Sequence, residues 1–203
     1  NVYRGLRIQD EKAVIIKALG KEFPEAEDIN VLHFEYDVLN SLQLSEVSQL
    51  LDYLDRGGLN ALVFDDCEGN ALSELLSIQS FSLKKKIQLS IKIVDALGMI
   101  HQHHIIHRDL NPSNIIFNPD TGQLKIIDFG AALLPKAATN SALGNADSMS
   151  GSPTYMSPEQ TGRMNRLLDY RTDFYSLGVT LYEIFCGNPP FESSDALELL
   201  HYH

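Results

Sequence analysis

One stretch, His107 to Gly130, constrains the fold of this chain more than any other. It contains two short apolar runs separated by the turn-forming sequence Asn-Pro-Asp-Thr-Gly, a pattern that predicts a β-hairpin. Asp109 and Asn114 precede the hairpin, and Asp128 follows it. A rigid two-stranded unit would therefore bring two carboxylates and one amide to the same end. Such a cluster suits a hydroxyl nucleophile at one carboxylate and a divalent metal ion at the other.

Composition argues against several classes of function. The 203 residues carry a net charge of -11, which disfavours nucleic acid or an anionic membrane as a partner. No uninterrupted apolar run approaches the length of a membrane span, so we expect no membrane segment. The two cysteines, Cys67 and Cys186, have no paired spacing, which is typical of a reducing compartment. We therefore expect a cytoplasmic protein.

A lysine and a glutamate are predicted to form an internal ion pair. Residues 13–17, Ala-Val-Ile-Ile-Lys, predict a strand that places Ile15 and Lys17 on one face. Residues 25–42 predict a helix in which Glu35 shares an apolar stripe with three leucines. A carboxylate in that position needs a cation, and Lys17 is the natural partner. An exposed Lys17 and a marginal Glu35 stay open as alternatives, because both residue types are usually exposed.

The segments on either side of the hairpin resemble the catalytic sequences of eukaryotic-type Ser/Thr protein kinases. Residues 107–114 read His-Arg-Asp-Leu-Asn-Pro-Ser-Asn, and residues 128–130 read Asp-Phe-Gly. The resemblance implies an α+β, protein kinase-like two-lobed fold, with an N-lobe over 1–66 and a C-lobe over 67–203. It also implies a fold truncated at both ends, because the Gly-rich phosphate loop and the last C-lobe helices have no counterpart here.

The resemblance assigns catalytic roles to five residues. Asp109 would accept or orient the proton of a Ser or Thr hydroxyl on a protein substrate. Asn114 and Asp128 would hold Mg²⁺. Lys17, fixed by Glu35, would hold the α- and β-phosphates of ATP. Catalysis would then consist of positioning and charge neutralisation.

Four further residues are expected to bind the adenine of ATP. Ile15 stands where kinases usually have a smaller alanine, so it should narrow the pocket from above. Phe64 would line the back of the pocket. The segment from Asp65 to Cys67 resembles the hinge between kinase lobes, and its backbone would bond the adenine edge.

Two segments, 155–166 and 169–178, resemble a narrower group within the superfamily. They look like the N-terminal kinase domain of large bacterial, chiefly cyanobacterial, hybrid signalling proteins. Such proteins place this domain before an ATPase module, sensor domains and a histidine kinase. The resemblance therefore implies that other domains of a longer signalling chain are partners.

One residue departs from the usual kinase pattern and leaves alternatives open. Asn111 stands where most Ser/Thr kinases have a lysine that contacts the transferred phosphate. We expect an ATP-dependent Ser/Thr protein kinase, slowed by Asn111. The first alternative is a pseudokinase or nucleotide-sensing regulatory module, favoured by Asn111 and Ile15. The second is a small-molecule kinase of the aminoglycoside type, which resembles this catalytic loop but usually lacks Arg108.

The kinase resemblance also predicts an activation segment between residues 131 and 150. Arg108 is a buried cation with no obvious anion, and a phosphate on that segment would supply one. The candidate acceptors are Thr139, Ser141, Ser148 and Ser150. Ser152 takes the position whose hydroxyl usually contacts the catalytic aspartate.

The remaining predictions concern helices that support the catalytic loop. Residues 83–102 predict a long helix with one apolar face, formed by Leu83, Ile87, Ile91, Val94 and Leu97. Residues 174–185 are apolar almost all round, which predicts a fully buried helix. By resemblance, His107 would pack under Phe129, and Asp173 would anchor the backbone of the catalytic loop.

Overall fold

The computed structural model describes residues 1–20, 24–56, 58–134, 151–162 and 168–203. The first part of the chain forms an antiparallel sheet of four strands in the order β1-β2-β4-β3. The strands are β1 (Val2–Arg7), β2 (Lys12–Ala18), β3 (Leu50–Arg56) and β4 (Leu59–Asp65). The predicted strand over 13–17 is thus the centre of β2. Because β2 pairs with β4, Ile15 lies opposite Phe64.

Helix α1 (Ala26–Ser41) packs against this sheet. It begins with a capping box, in which the side chain of Glu25 accepts a backbone hydrogen bond and Asp28 reciprocates. The predicted helix over 25–42 is confirmed to within one residue at each end. Its buried stripe contains Leu32, Glu35 and Leu39, so the carboxylate enters the interior together with the apolar face.

The second part of the chain is mainly helical. It contains α2 (Leu72–Ile78), α3 (Leu83–Gln102), α4 (Arg171–Cys186) and α5 (Ala196–Tyr202). A small antiparallel sheet lies between them, formed by β5 (Asn70–Ala71), β6 (Ile115–Phe117) and β7 (Leu124–Ile126) in that order. A four-stranded sheet with one helix, followed by a helical part, is the predicted α+β kinase fold. The division into lobes at residue 66 stays a prediction.

The predicted hairpin is β6 and β7. Its turn is organised by Asn118, whose side-chain oxygen accepts hydrogen bonds from the backbone N–H groups of Asp120 and Thr121 at 3.0 and 3.1 Å. Gly122 closes the turn with a φ of 72°, a left-handed conformation that suits glycine. The turn residues therefore fix the register that sets Ile116 opposite Lys125.

The buried face of α3 differs from the predicted one. The helix spans the expected residues, but Leu83, Ile87, Ile91 and Val94 are exposed. Leu97 is buried as predicted, and the other residues of α3 that enter the core are Leu89, Ile93, Ala96 and Ile100. The sequence carries apolar residues on two sides of this helix. Packing against α4 and the hairpin buries only one of those sides.

The prediction that residues 174–185 form a fully buried helix is also wrong. Phe174, Tyr182 and Phe185 are exposed on α4. The buried side of α4 includes small polar groups, among them Ser176 and Thr180. These groups are buried because they bond the loops beneath them: the Ser176 hydroxyl donates to the carbonyl of Tyr155 at 2.8 Å. None of the helices in the described part of the chain is long and apolar enough to span a membrane.

Candidate active site

Strand β2 and helix α1 bring Lys17 and Glu35 together, as predicted. The Lys17 ammonium donates to both carboxylate oxygens of Glu35, with Nζ–Oε1 and Nζ–Oε2 distances of 2.9 and 2.7 Å. It also donates to Oδ1 of Asp128 at 2.7 Å. One cation thus joins the four-stranded sheet, α1 and the segment that follows the hairpin. The alternatives of an exposed lysine and a marginal glutamate are wrong, since Glu35 is only 1% exposed.

Burial and charge act in opposite directions on these three groups. Burial disfavours the charge on Lys17, but the carboxylates of Glu35 and Asp128 outweigh it, so the pKa of the lysine is raised. Burial raises the pKa of Glu35, and Lys17 offsets only part of that rise. Burial also disfavours the charge on Asp128, yet contact with the Lys17 ammonium lowers its pKa overall. Lys17 therefore keeps Asp128 ionised, the form that a metal ion needs.

Asp109 is held by hydrogen bonds from three directions. Its Oδ1 accepts from the backbone N–H of Ser152 at 2.8 Å and from Nδ2 of Asn111 at 3.1 Å. Its Oδ2 accepts from Nδ2 of Asn114 at 2.8 Å. Asn111 and Asn114 each also donate to the Asp109 carbonyl, at 3.1 and 2.8 Å. The carboxylate orientation is thereby fixed before any substrate arrives.

Ser152 occupies the expected place but makes a different contact from the predicted one. Its backbone N–H, rather than its hydroxyl, donates to Asp109. The hydroxyl oxygen instead accepts a hydrogen bond from Nδ2 of Asn111 at 3.2 Å. The neighbouring Gly151 explains the close approach, because a Cβ there would lie 3.0 Å from the Arg108 carbonyl. Its φ of 120° is also one that side chains rarely permit.

Asp173 anchors the loop that carries Asp109. The side chain of Asp173 is fully buried at the start of α4 and accepts hydrogen bonds from the backbone N–H groups of His107 and Arg108, both at 2.8 Å. Nε2 of His101, at the end of α3, lies 2.7 Å from the same carboxylate. Arg108 has a φ of 68°, and the two backbone bonds help to hold it in this sparsely populated conformation. The predicted anchoring role of Asp173 is supported by this geometry.

His107 and Phe129 connect the catalytic loop to α1. Their rings meet edge to face with centroids 4.9 Å apart, as the predicted packing requires. Nε2 of His107 lies 3.0 Å from the Ile127 carbonyl. The backbone N–H of Phe129 donates to Oε1 of Glu35 at 3.3 Å. The segment 128–130 is therefore bonded directly to α1.

Arg108 is buried, and its Nε has no hydrogen-bond partner in the described part of the chain. Burial lowers the pKa of its guanidinium, with Asp173 opposing that shift. The predicted phosphorylation sites Thr139, Ser141 and Ser148 lie outside the described residues. So does Ser150, and a phosphate partner for Arg108 stays a prediction.

A cavity of about 210 Å³ lies between the four-stranded sheet and the hairpin. Its walls are predominantly apolar and include Ile15, Phe64 and Leu39. Lys17, Glu35 and Asp128 line it as well, so the charged cluster and the apolar cleft are continuous. All four residues predicted to bind adenine line this cavity: Ile15, Phe64, Asp65 and Cys67.

The residues present fit a nucleotide and a metal ion. The apolar walls suit a flat aromatic ring, and Lys17 lies where phosphates would follow. Oδ2 of Asp128 and Oδ1 of Asn114 accept no hydrogen bond from described residues, which leaves two oxygen atoms for a hard cation such as Mg²⁺. The backbone N–H groups of Asp65 and Asp66 are used internally, by the carbonyls of Gln49 and Ala13.

Some cavity residues were not predicted from the sequence. Leu39, Ile116 and Ile127 line the cleft, and each belongs to an apolar run that gives no sign of facing a ligand. Arg4 and Asp66 form an ion pair at its edge, with a 2.6 Å distance between Nε and Oδ2. The alternation of β1 could have placed Arg4 on the cavity side, but its partner lies 62 positions away along the chain.

A comparison with known families decides the identity of the fold. The model of the protein kinase domain matches residues 1–202. The chain belongs to the protein kinase domain family. Along this kinase domain, the Lys17–Glu35 pair comes first, the loop that carries Asp109 follows, and the Asp-Phe-Gly segment comes after it. This order agrees with the assignment.

Several curated relatives of this kinase domain are named as Ser/Thr kinases. It is 33% identical over 205 residues to "Probable serine/threonine-protein kinase CPE1738" of Clostridium perfringens, covering 100% of this chain and 29% of that protein. It is 30% identical over 208 residues to "Probable serine/threonine-protein kinase PknB" of Lactococcus lactis, covering 100% of this chain and 32% of that protein. It is 29% identical over 205 residues to the serine/threonine-protein kinase PrkC of Bacillus subtilis, covering 100% of this chain and 31% of that protein. The chain thus spans about a third of the length of these relatives.

Proposed function

We propose that this kinase domain is an ATP-dependent Ser/Thr protein kinase that transfers the γ-phosphate to hydroxyl groups of protein substrates. The observation that carries the proposal is the joint contact of Lys17 with Glu35 and Asp128, at 2.7–2.9 Å. In a protein kinase the strand lysine, the helix glutamate and the Asp-Phe-Gly aspartate must all be in place.

The proposed roles follow from the positions of the side chains. Bound Mg²⁺-ATP would supply the phosphoryl group and a cation to offset its charge. Lys17 would hold the phosphates, while Asp128 and Asn114 would offer oxygen ligands to the metal. Asp109, fixed by three donors, would orient the substrate hydroxyl and take its proton through the remaining lone pair of Oδ2.

Adenine recognition is proposed for the apolar end of the cleft. Ile15 would contact one face of the adenine ring, and Phe64 would lie at the back of the pocket beside the ring edge. Because the N–H groups of Asp65 and Asp66 already bond within the sheet region, the N–H of the hinge that is left to meet the ring is that of Cys67. The thiol of Cys67 would then lie beside the base, and burial raises its pKa.

Two finer points belong to the same proposal. The resemblance of residues 155–166 and 169–178 to hybrid bacterial signalling proteins supports other domains of one longer chain as partners. Two free cysteines, Cys67 and Cys186, support a cytoplasmic location. The curated relatives, which are named as Ser/Thr kinases, favour the kinase over the pseudokinase alternative.

Transfer of label from radiolabelled ATP to protein tests the proposal. The native polypeptide is incubated with a panel of bacterial proteins, and the labelled products are hydrolysed to single phosphoamino acids. We expect phosphoserine and phosphothreonine, dependent on Mg²⁺. Label only on small molecules, or only on tyrosine, would contradict the proposed substrate class.

A further inference from the structure

A second cavity adjoins the nucleotide cleft and shares Leu39 and Asp65 with it. We call it the rear cavity. It has a volume of about 570 Å³ and lies between the end of α1, the start of β3 and the hairpin. The polar residues of its lining are Asn40, Gln43, Ser45, Gln49, Asp65, Gln123 and Lys125. None of the roles proposed above uses this cavity.

Lys125 is the unusual member of this lining. It lies in the middle of β7 and is only 6% exposed. Among the described residues, it has neither a hydrogen bond from its ammonium nor an ion pair. The stem of the side chain is covered, while the ammonium itself reaches the open space of the rear cavity. Asp65 is the one carboxylate among the described lining residues, and it forms no ion pair with Lys125.

We propose that the rear cavity binds a small molecule bearing a carboxylate or a phosphate, whose oxyanion pairs with Lys125. The ammonium is a compact donor that suits an oxyanion, and charge-assisted bonds of this kind are among the strongest hydrogen bonds in proteins. The amides of Gln43, Gln49 and Gln123 line the same cavity and offer further donors and acceptors. The volume of about 570 Å³ is large enough for a phosphate ester or a small organic acid.

The rear cavity shares walls with the nucleotide cleft. Leu39 and Asp65 line both. Leu39 lies one helical turn after Glu35 on α1, and Asp65 ends β4 at the hinge. An occupant of the rear cavity would therefore hold the helix and the strand that form the nucleotide cleft. This coupling rests on the proposed function, and its sign is positive: the anion and the nucleotide tighten each other's binding.

Thermal unfolding with anions as probes tests the site. Inorganic phosphate and citrate are titrated separately at constant ionic strength into the wild type, Lys125→Met and Lys92→Gln. Lys92 is an exposed lysine of α3 and serves as the matched control. We expect at least one probe to raise the midpoint saturably in the wild type and in Lys92→Gln, and to do so about tenfold more weakly in Lys125→Met. Which probe succeeds distinguishes a phosphate ligand from a carboxylate.

A second variant keeps the test decisive if Lys125→Met unfolds. Gln49→Glu places a carboxylate in the lining, where it can pair with Lys125. We expect this variant to be more stable than the wild type without probes and to lose the probe-dependent rise. A saturable rise that survives in both variants would overturn the proposal, and so would the absence of any saturable rise in the wild type.

The anion could also occupy the phosphate end of the nucleotide cleft, and Lys17→Met excludes that outcome. Loss of the probe effect in Lys17→Met, with retention in Lys125→Met, would place the anion in the cleft and overturn the proposal. The coupling is measured with a fluorescent ATP analogue, with and without the effective probe. Tighter nucleotide binding is expected, and equal affinity would refute the coupling. Absence of nucleotide binding would count against the proposed function while leaving the anion result intact.

Discussion

Lys17 and Glu35 form a two-point ion pair across the sheet and helix α1, with Nζ–O distances of 2.9 and 2.7 Å. The same carboxylate also accepts a hydrogen bond from the backbone N–H of Phe129. One buried glutamate thus fixes the phosphate-binding lysine and the start of the segment after Asp128. The position of α1 therefore sets the geometry of the whole cleft.

Replacement of Glu35 by Gln should impair catalysis more than folding. The amide cannot balance the charge on Lys17, although Asp128 remains beside it. By analogy with loss of one preorganised electrostatic contact, we expect kcat/KM to fall by about 10²–10³. Glu27→Gln, an exposed change in the first turn of the same helix, is the control and should leave kcat/KM unaltered. Steady-state kinetics of both variants check this, and equal values for Glu35→Gln and wild type would refute the role.

Asp173→Asn should destabilise the domain. The fully buried carboxylate accepts two backbone N–H bonds and lies 2.7 Å from His101. An amide has only one acceptor oxygen, so its NH₂ group would face one of the N–H donors that the carboxylate now accepts from. Breaking a buried charged network of this kind costs about 3–5 kcal/mol of unfolding free energy. Denaturant unfolding measures the loss. Asp120→Asn, an exposed change in the hairpin turn, should cost almost nothing.

Much of this site was predictable because its signals are local. The hairpin follows from a turn sequence, and the Lys17–Glu35 pair follows from the periods of one strand and one helix. Which side of α3 is buried was not predictable in the same way. Its apolar residues occupy two sides, and hydrophobicity alone does not decide between the side with Leu83 and Ile87 and the side with Leu89 and Ile93. That choice belongs to tertiary packing.

Contacts made by the backbone were also hidden from the sequence. The bond to Asp109 comes from the N–H of Ser152 and not from its hydroxyl, and side-chain identity does not reveal such a contact. Lys125 was missed for a related reason. The strand Leu-Lys-Ile alternates, which predicts a lysine that faces solvent, and the sequence gives no sign that a cavity lies on that side.

Asn111→Lys should raise turnover with little change in nucleotide affinity. The transferring phosphoryl group carries spread negative charge, and a lysine would offset part of it in the transition state only. We expect kcat to rise by about 10²-fold, with some loss of stability, because the Asn111 side chain accepts a capping bond from the Ser113 N–H at 2.9 Å. Kinetics and unfolding of the variant check both effects. A fast wild type slowed by the lysine would show that Asn111 is adapted to its site.

The stability of the domain should depend on pH through Asp128. Its pKa is lowered in the folded state, so its contribution to stability is present above the ordinary aspartate pKa of about 4 and is lost as pH falls through the lowered value. The side chain is 42% exposed, so solvent screens the effect and keeps it small. Denaturant unfolding of wild type and Asp128→Asn between pH 7 and pH 3 should show a gap that narrows at acid pH. A constant gap would contradict the assigned interaction with Lys17.

The central claim is that Asp109 handles the substrate proton in a phosphoryl transfer to protein. The most direct measurement is single-turnover transfer from radiolabelled ATP by the wild-type native polypeptide and by Asp109→Asn, alongside nucleotide affinity and unfolding midpoint for both. We predict transfer to Ser and Thr by the wild type and a loss of about 10²–10⁴ in rate for the variant, with unchanged nucleotide affinity. Equal rates for the two proteins, or no transfer by a wild type that binds Mg²⁺-ATP, would contradict the account.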